Sequence, residues 1–190
     1  MPNVNAPRGL SPRRTLSGAG IVANPYSIAA NYTTAIYRGD VVQLTGTGKN
    51  IAQSEAGNVD NLGVFAGCSY IDASGKSVWS KYWPGVSDGK TNIVALVWDD
   101  PNVVWEVQAD GCVAAEVGVV CDWNVGTGNV ASGQSGLYAV VSGTSATTGG
   151  SLKVMGLVDR PDNEYGSYAK IEVLLIEHVN NAVVSGVGGI

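Results

Sequence analysis

A chain of 190 residues fits one domain, and it can bury a sizeable core without metal or disulfide staples. Its formal net charge is −5, from 11 basic against 16 acidic side chains, so it lacks the basic field that holds a phosphate backbone, and nucleic acid is not an expected partner. Only 14% of residues are charged, against roughly 25% in ordinary globular proteins. Polar surface comes instead from Asn, Ser, Thr and 26 glycines, a composition that suits a surface covered by copies or partners.

Residues 1–20, "MPNVNAPRGLSPRRTLSGAG", stand apart from the rest. They carry Arg8, Arg13 and Arg14 among three prolines and three glycines. So little apolar area cannot fold by itself, and the segment reads as an extended basic arm. A basic arm against an acidic body fits a neighbouring subunit; the alternative is that it folds back on its own domain. Its removal is expected to spare the β domain.

Residues 21–180 are dominated by β signals. "GDVVQLTGTGKNIAQ" (39–53) predicts a strand, a glycine turn and a strand. "LGVFAGCSYIDASGKSVWSKYW" (62–83) predicts a long hairpin turning at Asp72-Ala73-Ser74-Gly75. Strand alternation puts Leu62, Val64, Ala66, Cys68 and Tyr70 on one face. On the return strand it puts Trp79 and Trp83 together, opposite Val78 and Tyr82. Residues 92–98 and 102–110 are expected to pair around Asp99-Asp100-Pro101, with Val103, Trp105, Val107 and Ala109 facing the core. A short helical turn near 113–116 and then a strand are expected in "CVAAEVGVVCDW". Loops follow at 126–136 and 142–150, then strong strands at 151–159 and 168–178. Residues 181–190 read as a weakly structured tail. Short strands with Gly and Asp turns and no long amphipathic helix predict an all-β fold: a single β-barrel or sandwich-like domain with an N-terminal arm.

Chemistry leaves few marks. His178 is the only histidine, and no G-x-S-x-G elbow accompanies it, so it is expected to end a strand and pack locally. "LTGTGKN" lacks the spacing of a phosphate loop and is a hairpin turn. One His and three scattered Cys make a poor zinc set. Asp159, Asp162 and Glu164 offer oxygens for calcium, but their spacing matches no defined loop, and a turn stiffened by Pro161 explains them better. Asp72, Asp99, Asp100, Asp110 and Asp122 all fall near turns, where Asp is structurally expected. Neither an enzymatic activity nor a cofactor is expected.

Cys68, Cys112 and Cys121 are odd in number, which excludes complete intrachain pairing. They read as buried free thiols, with a Cys112–Cys121 bridge as the alternative. Asn31-Tyr32-Thr33 matches a glycosylation sequon, which means little without secretion, and no signal-peptide-like run or membrane span is read. Trp79, Tyr82 and Trp83 have three readings: core, subunit interface or small-ligand surface. With Arg8, Arg13 and Arg14 they are the candidate interface residues.

The segments "GDVVQLTGTG", "GVFAGCSYIDASGKSVWSKYWPG" and "GLVDRPDNEYGSYAKIEVLLIEH" resemble parts of head decoration, or capsid-stabilising, proteins of tailed bacteriophages. The resemblance spans roughly residues 35–178 and carries no catalytic signature. It implies a virion structural protein on the outside of the head shell, bound to the major capsid protein and to copies of itself. A trimer is the default by analogy, with a dimer or pentamer as alternatives, and neither nucleic acid nor membrane is implied as a partner. Another virion component, such as a head-fibre base, a tail part or a host-surface-binding module, is the alternative.

Overall fold

The computed structural model describes residues 3–85, 89–143 and 149–180; the tail predicted at 181–190 lies outside the described residues. In chain order the strands are β1 (Ser11–Thr15), β2 (Asn24–Tyr26), β3 (Ile36–Tyr37), β4 (Val41–Leu44), β5 (Ile51–Gln53), β6 (Asn61–Ile71), β7 (Ser77–Ser80) and β8 (Tyr82–Trp83). They continue as β9 (Thr91–Trp98), β10 (Val103–Gln108), β11 (Gly111–Cys112), β12 (Val120–Asn124), β13 (Tyr138–Val140), β14 (Leu152–Leu157), β15 (Gly166–Ser167) and β16 (Lys170–Leu175). A 3-10 turn, Ala114–Glu116, sits where the helical turn is expected.

The fold is all-β and built from four antiparallel sheets. One has the order β1-β10-β16-β14-β12-β13, and a second has β2-β9-β6-β4-β5 with β7 also on β6. The pairs β11-β15 and β3-β8 complete the set. The first sheet curls round its own core: Trp105 and Val107, Ile171 and Val173, Leu152 and Val154, Trp123, and Ala139 all turn inward. The second sheet covers a separate core of Ile36, Val42, Ile51, Leu62, Phe65, Cys68, Trp83 and Val97.

The single barrel or sandwich expected from the sequence is therefore not what forms, and the register shows why. β10 pairs with β16 along one edge and with β1 along the other. The far strand, β13, returns only as far as one parallel bridge, Ala109 to Ala139. The edge that would close the first sheet is taken by residues of the N-terminal arm.

Two pairing expectations are corrected. Residues 92–98 and 102–110 do not pair with each other. β9 belongs to the second sheet and β10 to the first, and the Asp99–Asn102 turn carries the chain between them. That turn is stiffened by the Asp100 carboxylate, which accepts the Asn102 N–H at 2.9 Å. Trp98 and Trp105 meet across the switch with ring centroids 6.1 Å apart.

The single face drawn through Leu62, Val64 and Cys68 also fails. Leu62 and Cys68 enter the second core and Val64 the first. Register shifts against both β4 and β9 break the period of two along β6. On the return strand, Trp79 and Trp83 do not share a face either. Pairing with β6 ends at Ser80, and Trp83 belongs to β8, paired with β3.

Other expectations hold. The hairpin turn lies at 72–76, with the Asp72 carboxylate accepting the Ser74 and Lys76 N–H groups at 2.9 and 3.0 Å. The strands expected at 151–159 and 168–178 form as β14 and β16, and the structure pairs them with each other. Val103, Trp105, Val107 and Ala109 all face the first core.

Candidate functional site

The arm is fixed to its own body. Leu10 is buried in the first core. The Gly9 N–H donates to the Leu137 carbonyl at 3.1 Å, and the Leu10 N–H to the Gly39 carbonyl at 2.9 Å. Farther out, the Gln108 side chain accepts the Ala6 N–H at 2.8 Å and donates to the Asn5 side chain at 2.9 Å. The sequence reading of an arm awaiting a neighbour gives way here to its alternative, an arm folded back on its own domain. Composition hid this because the stabilisation comes from one leucine, a strand ladder and ion pairs, none of which needs a long apolar run.

The three arm arginines answer a pair of carboxylates. Glu106 on β10 and Glu172 on β16 stand directly opposite each other in register, an arrangement that is repulsive when unanswered. Arg8 reaches Glu106 at 2.6 Å. Arg13 bridges the two, at 3.4 Å from Glu106 and 3.3 Å from Glu172. Arg14 reaches Glu172 at 2.9 Å, and Arg160 closes on Glu106 from the turn after β14. A register irregularity between Pro12 and Arg14 places Arg13 and Arg14 where both reach Glu172. Burial pushes the Glu106 pKa up, but hydrogen bonds and charge from Arg160 and Arg8 outweigh it and hold the carboxyl below the ordinary glutamate value. Glu106, Glu172 and Arg160 are absent from the sequence-level set. A Glu at every second β-strand position is an ordinary solvent-face signal, and only the register reveals the opposed pair.

The hairpin aromatics divide. Trp83 is fully buried, with its indole N–H donating to the Tyr32 carbonyl at 3.2 Å and its ring edge-on to Tyr70. Tyr82 stacks on Tyr37 at 5.4 Å. Trp79 is 58% exposed, on a strand that among the described residues pairs with β6 alone.

A cleft of about 850 Å³ opens between residues 5–8 of the arm and the loop at 126–136, with Gln108 and Asp110 among its lining and Tyr138 and Tyr168 beside them. Asp110 is held by backbone: its Oδ1 accepts the N–H groups of Gly111, Val141 and Ser142 at 2.8, 2.9 and 3.0 Å. Tyr168 is a non-glycine residue at φ +59°, and its N–H donates to the Asp110 carbonyl at 3.2 Å. Nothing in the sequence marks that conformation, and pattern reading missed this cleft entirely.

Several other titratable groups are buried within the fold. Asp40 is buried and accepts from the Tyr37 N–H and the Gln53 amide, both at 2.8 Å, and from the Ser135 hydroxyl. Burial raises its pKa against those three hydrogen bonds. His178 is buried, bridges to Asn61, and accepts the Asn180 N–H at Nδ1. Burial pushes its pKa down to about 4, against the pull of Asp99 and Asp100. All three cysteines are free and buried. At "DRPDNEYG" it is Asn163 that organises the turn, donating to the Val158 and Lys170 carbonyls. Among the described residues no His, Cys, Asp and Glu cluster is suited to a metal, and no helix is long and apolar enough to cross a membrane.

Comparison with family models, with curated proteins and with solved structures finds no match.

Proposed function

We propose that this chain is a virion structural protein that binds the outside of a tailed-phage head shell and stabilises contacts between major capsid subunits. The reading rests on the three segments that resemble head decoration proteins. The observation that carries it to particular atoms is Trp79. It is the most exposed of the five tryptophans, and it sits on β7, an edge strand with one neighbour among the described residues. A large amphipathic ring beside unpaired backbone groups is what a protein interface uses. The arm is already folded onto its own body, so the protein meets the shell as a preformed unit with little ordering entropy to lose.

Stabilisation then works by linkage. A protein that binds the expanded shell and not its precursor favours the expanded state by mass action. Copies assembled as a trimer, or alternatively as a dimer or pentamer, add their contacts through effective concentration. The deciding measurement is copy number in purified particles, by quantitative mass spectrometry against the major capsid protein. A ratio near one to one, or a simple lattice fraction, supports a repeated shell component. A handful of copies moves the protein to a vertex, portal or tail position. Absence from the particle overturns the reading.

A further inference from the structure

We propose that the cleft between the arm and the 126–136 loop is a binding site for a neutral oligosaccharide. The proposal does not depend on the capsid reading, because binding is measured on the isolated protein.

The charge of the lining points there first. Arg8 is committed to Glu106 at 2.6 Å, and Lys170 lies 3.9 Å from Asp162. The Asp110 carboxylate takes three backbone N–H groups. Both cations bordering the cleft have a carboxylate partner, and the Asp110 carboxylate is held by backbone N–H groups, so the ionic side chains are engaged by the protein before a ligand arrives. What is left to a ligand is uncharged. The Gln134 side-chain amide and the hydroxyls of Tyr138 and Tyr168 border the cleft. None of the three makes a hydrogen bond to the protein among the described residues. Phenol rings beside amides suit a polyol that offers C–H faces and hydroxyls together. The volume, about 850 Å³, lies within the range of roughly 300–1,000 Å³ common for small-molecule sites.

Tyr168 supplies the second, independent observation. A bulky side chain at φ +59° is a backbone outlier. It costs on the order of 1–3 kcal/mol and persists only where the surroundings enforce it. The fold enforces it through the backbone, since the Tyr168 N–H donates to the Asp110 carbonyl and the carbonyl of the fully buried Ala169 accepts the Ala109 N–H, while the phenol itself stays 38% exposed. Glycine would relax the backbone, yet the position holds a phenol, at the boundary of this cleft and a smaller one beside Asn3 and Glu164. The strain is accounted for if that ring is presented to a ligand.

The test uses the full chain with gluco-, galacto-, manno- and N-acetylglucosamine hexasaccharides, read by saturation-transfer NMR and titration calorimetry, with heparin as the charged control. Binding of at least one neutral hexasaccharide is expected. Tyr168→Gly should weaken it at least tenfold while leaving the melting temperature unchanged or raised, since glycine relieves the strain. Tyr138→Ala, on the other side of the cleft, should weaken it as well. No saturation transfer from any neutral member, binding of heparin alone, or full affinity in both variants would each overturn the proposal.

Discussion

Gly9 and Gly39 cross backbone against backbone, both at positive φ, +74° and +98°. A β-carbon on Gly9 would lie 2.5 Å from the Gly39 carbonyl oxygen and 2.7 Å from the Ser135 β-carbon. This crossing is where the arm passes over the β3–β4 turn, beside the buried Asp40. Gly9→Ala combines left-handed strain of ~1 kcal/mol with overpacking of ~1–3 kcal/mol, a loss of roughly 2–4 kcal/mol. Gly18→Ala is the control. Its φ is +73°, but nothing lies within 4 Å of the added carbon, so it should cost only ~1 kcal/mol. Urea unfolding of the two variants separates backbone strain from contact, and equal losses would mean that the arm shifts freely.

The opposed glutamates make a second prediction. Glu106→Gln removes the carboxylate shared by Arg8, Arg13 and Arg160. Breaking a fully buried pair costs ~3–5 kcal/mol. Here the arginine side chains are 51%, 32% and 33% exposed, and solvent screening reduces the loss to roughly 2 kcal/mol. Arg14→Ala should cost under ~1 kcal/mol, because Arg13 still answers Glu172. Deleting residues 3–15 should cost more than either. It strips the Leu10 side chain, worth ~1.5–3 kcal/mol, from the first core, exposes the β10 edge and leaves both carboxylates opposed. Calorimetric melting of the three variants gives the order.

The His178 contribution to stability should rise with pH between about 4 and 6.5, with the raised Asp40 carboxyl working against it. His178 is held neutral in the fold with its pKa near 4, and regains the ordinary value of 6.5 on unfolding. Over that window the unfolded chain binds the extra proton. The contribution is fully present above 6.5 and is lost as pH falls through 4, an upper bound of ~3 kcal/mol. Glu106, held below its ordinary value, extends the loss to lower pH. His178→Gln should flatten the slope of unfolding free energy between pH 6.5 and 4. An unchanged slope would assign the dependence elsewhere.

The thiols should be silent. Burial pushes Cys68, Cys112 and Cys121 up to about 12, 11 and 12, so almost no thiolate exists at pH 8 and none is open to attack. A thiol reagent should label no cysteine of the native protein and all three after denaturation. Prompt native labelling of Cys112 would show that the β11–β15 pair opens.

Much of the strand pattern was legible from the residues alone. The Asp72 turn, the strands β14 and β16 and the inward set on β10 follow from local chemistry: Asp and Gly at a turn, and apolar residues every second position. The topology was not legible. Asp99-Asp100-Pro101 is a sound turn, yet a turn does not say whether its flanking strands pair or part into two sheets. The period of two along β6 fails because bulges, which no local residue type demands, move Leu62 and Val64 into different cores. Arg8, Arg13 and Arg14 stood out by composition, but their partners lie about 90 to 160 positions away and emerge only once β10 and β16 are in register. Tyr168 gave no signal at all, since an outlying φ is imposed by the fold.

Trp79 separates interface from core. Its ring is seated over Gly67, where an added β-carbon would lie 3.2 Å from the indole, and it is otherwise open to solvent. Trp79→Ala should cost under ~1 kcal/mol, whereas Trp83→Ala, four residues on but fully buried, should cost ~3–5 kcal/mol. If Trp79 anchors the protein to a shell, W79A should fold and melt like the parent yet incorporate into particles at least tenfold less. That pairing of normal stability with lost incorporation cannot arise from a damaged core. Normal incorporation of W79A would move the contact away from the β7 edge, and acrylamide quenching of the free and particle-bound protein would report the same outcome through the burial of one exposed indole.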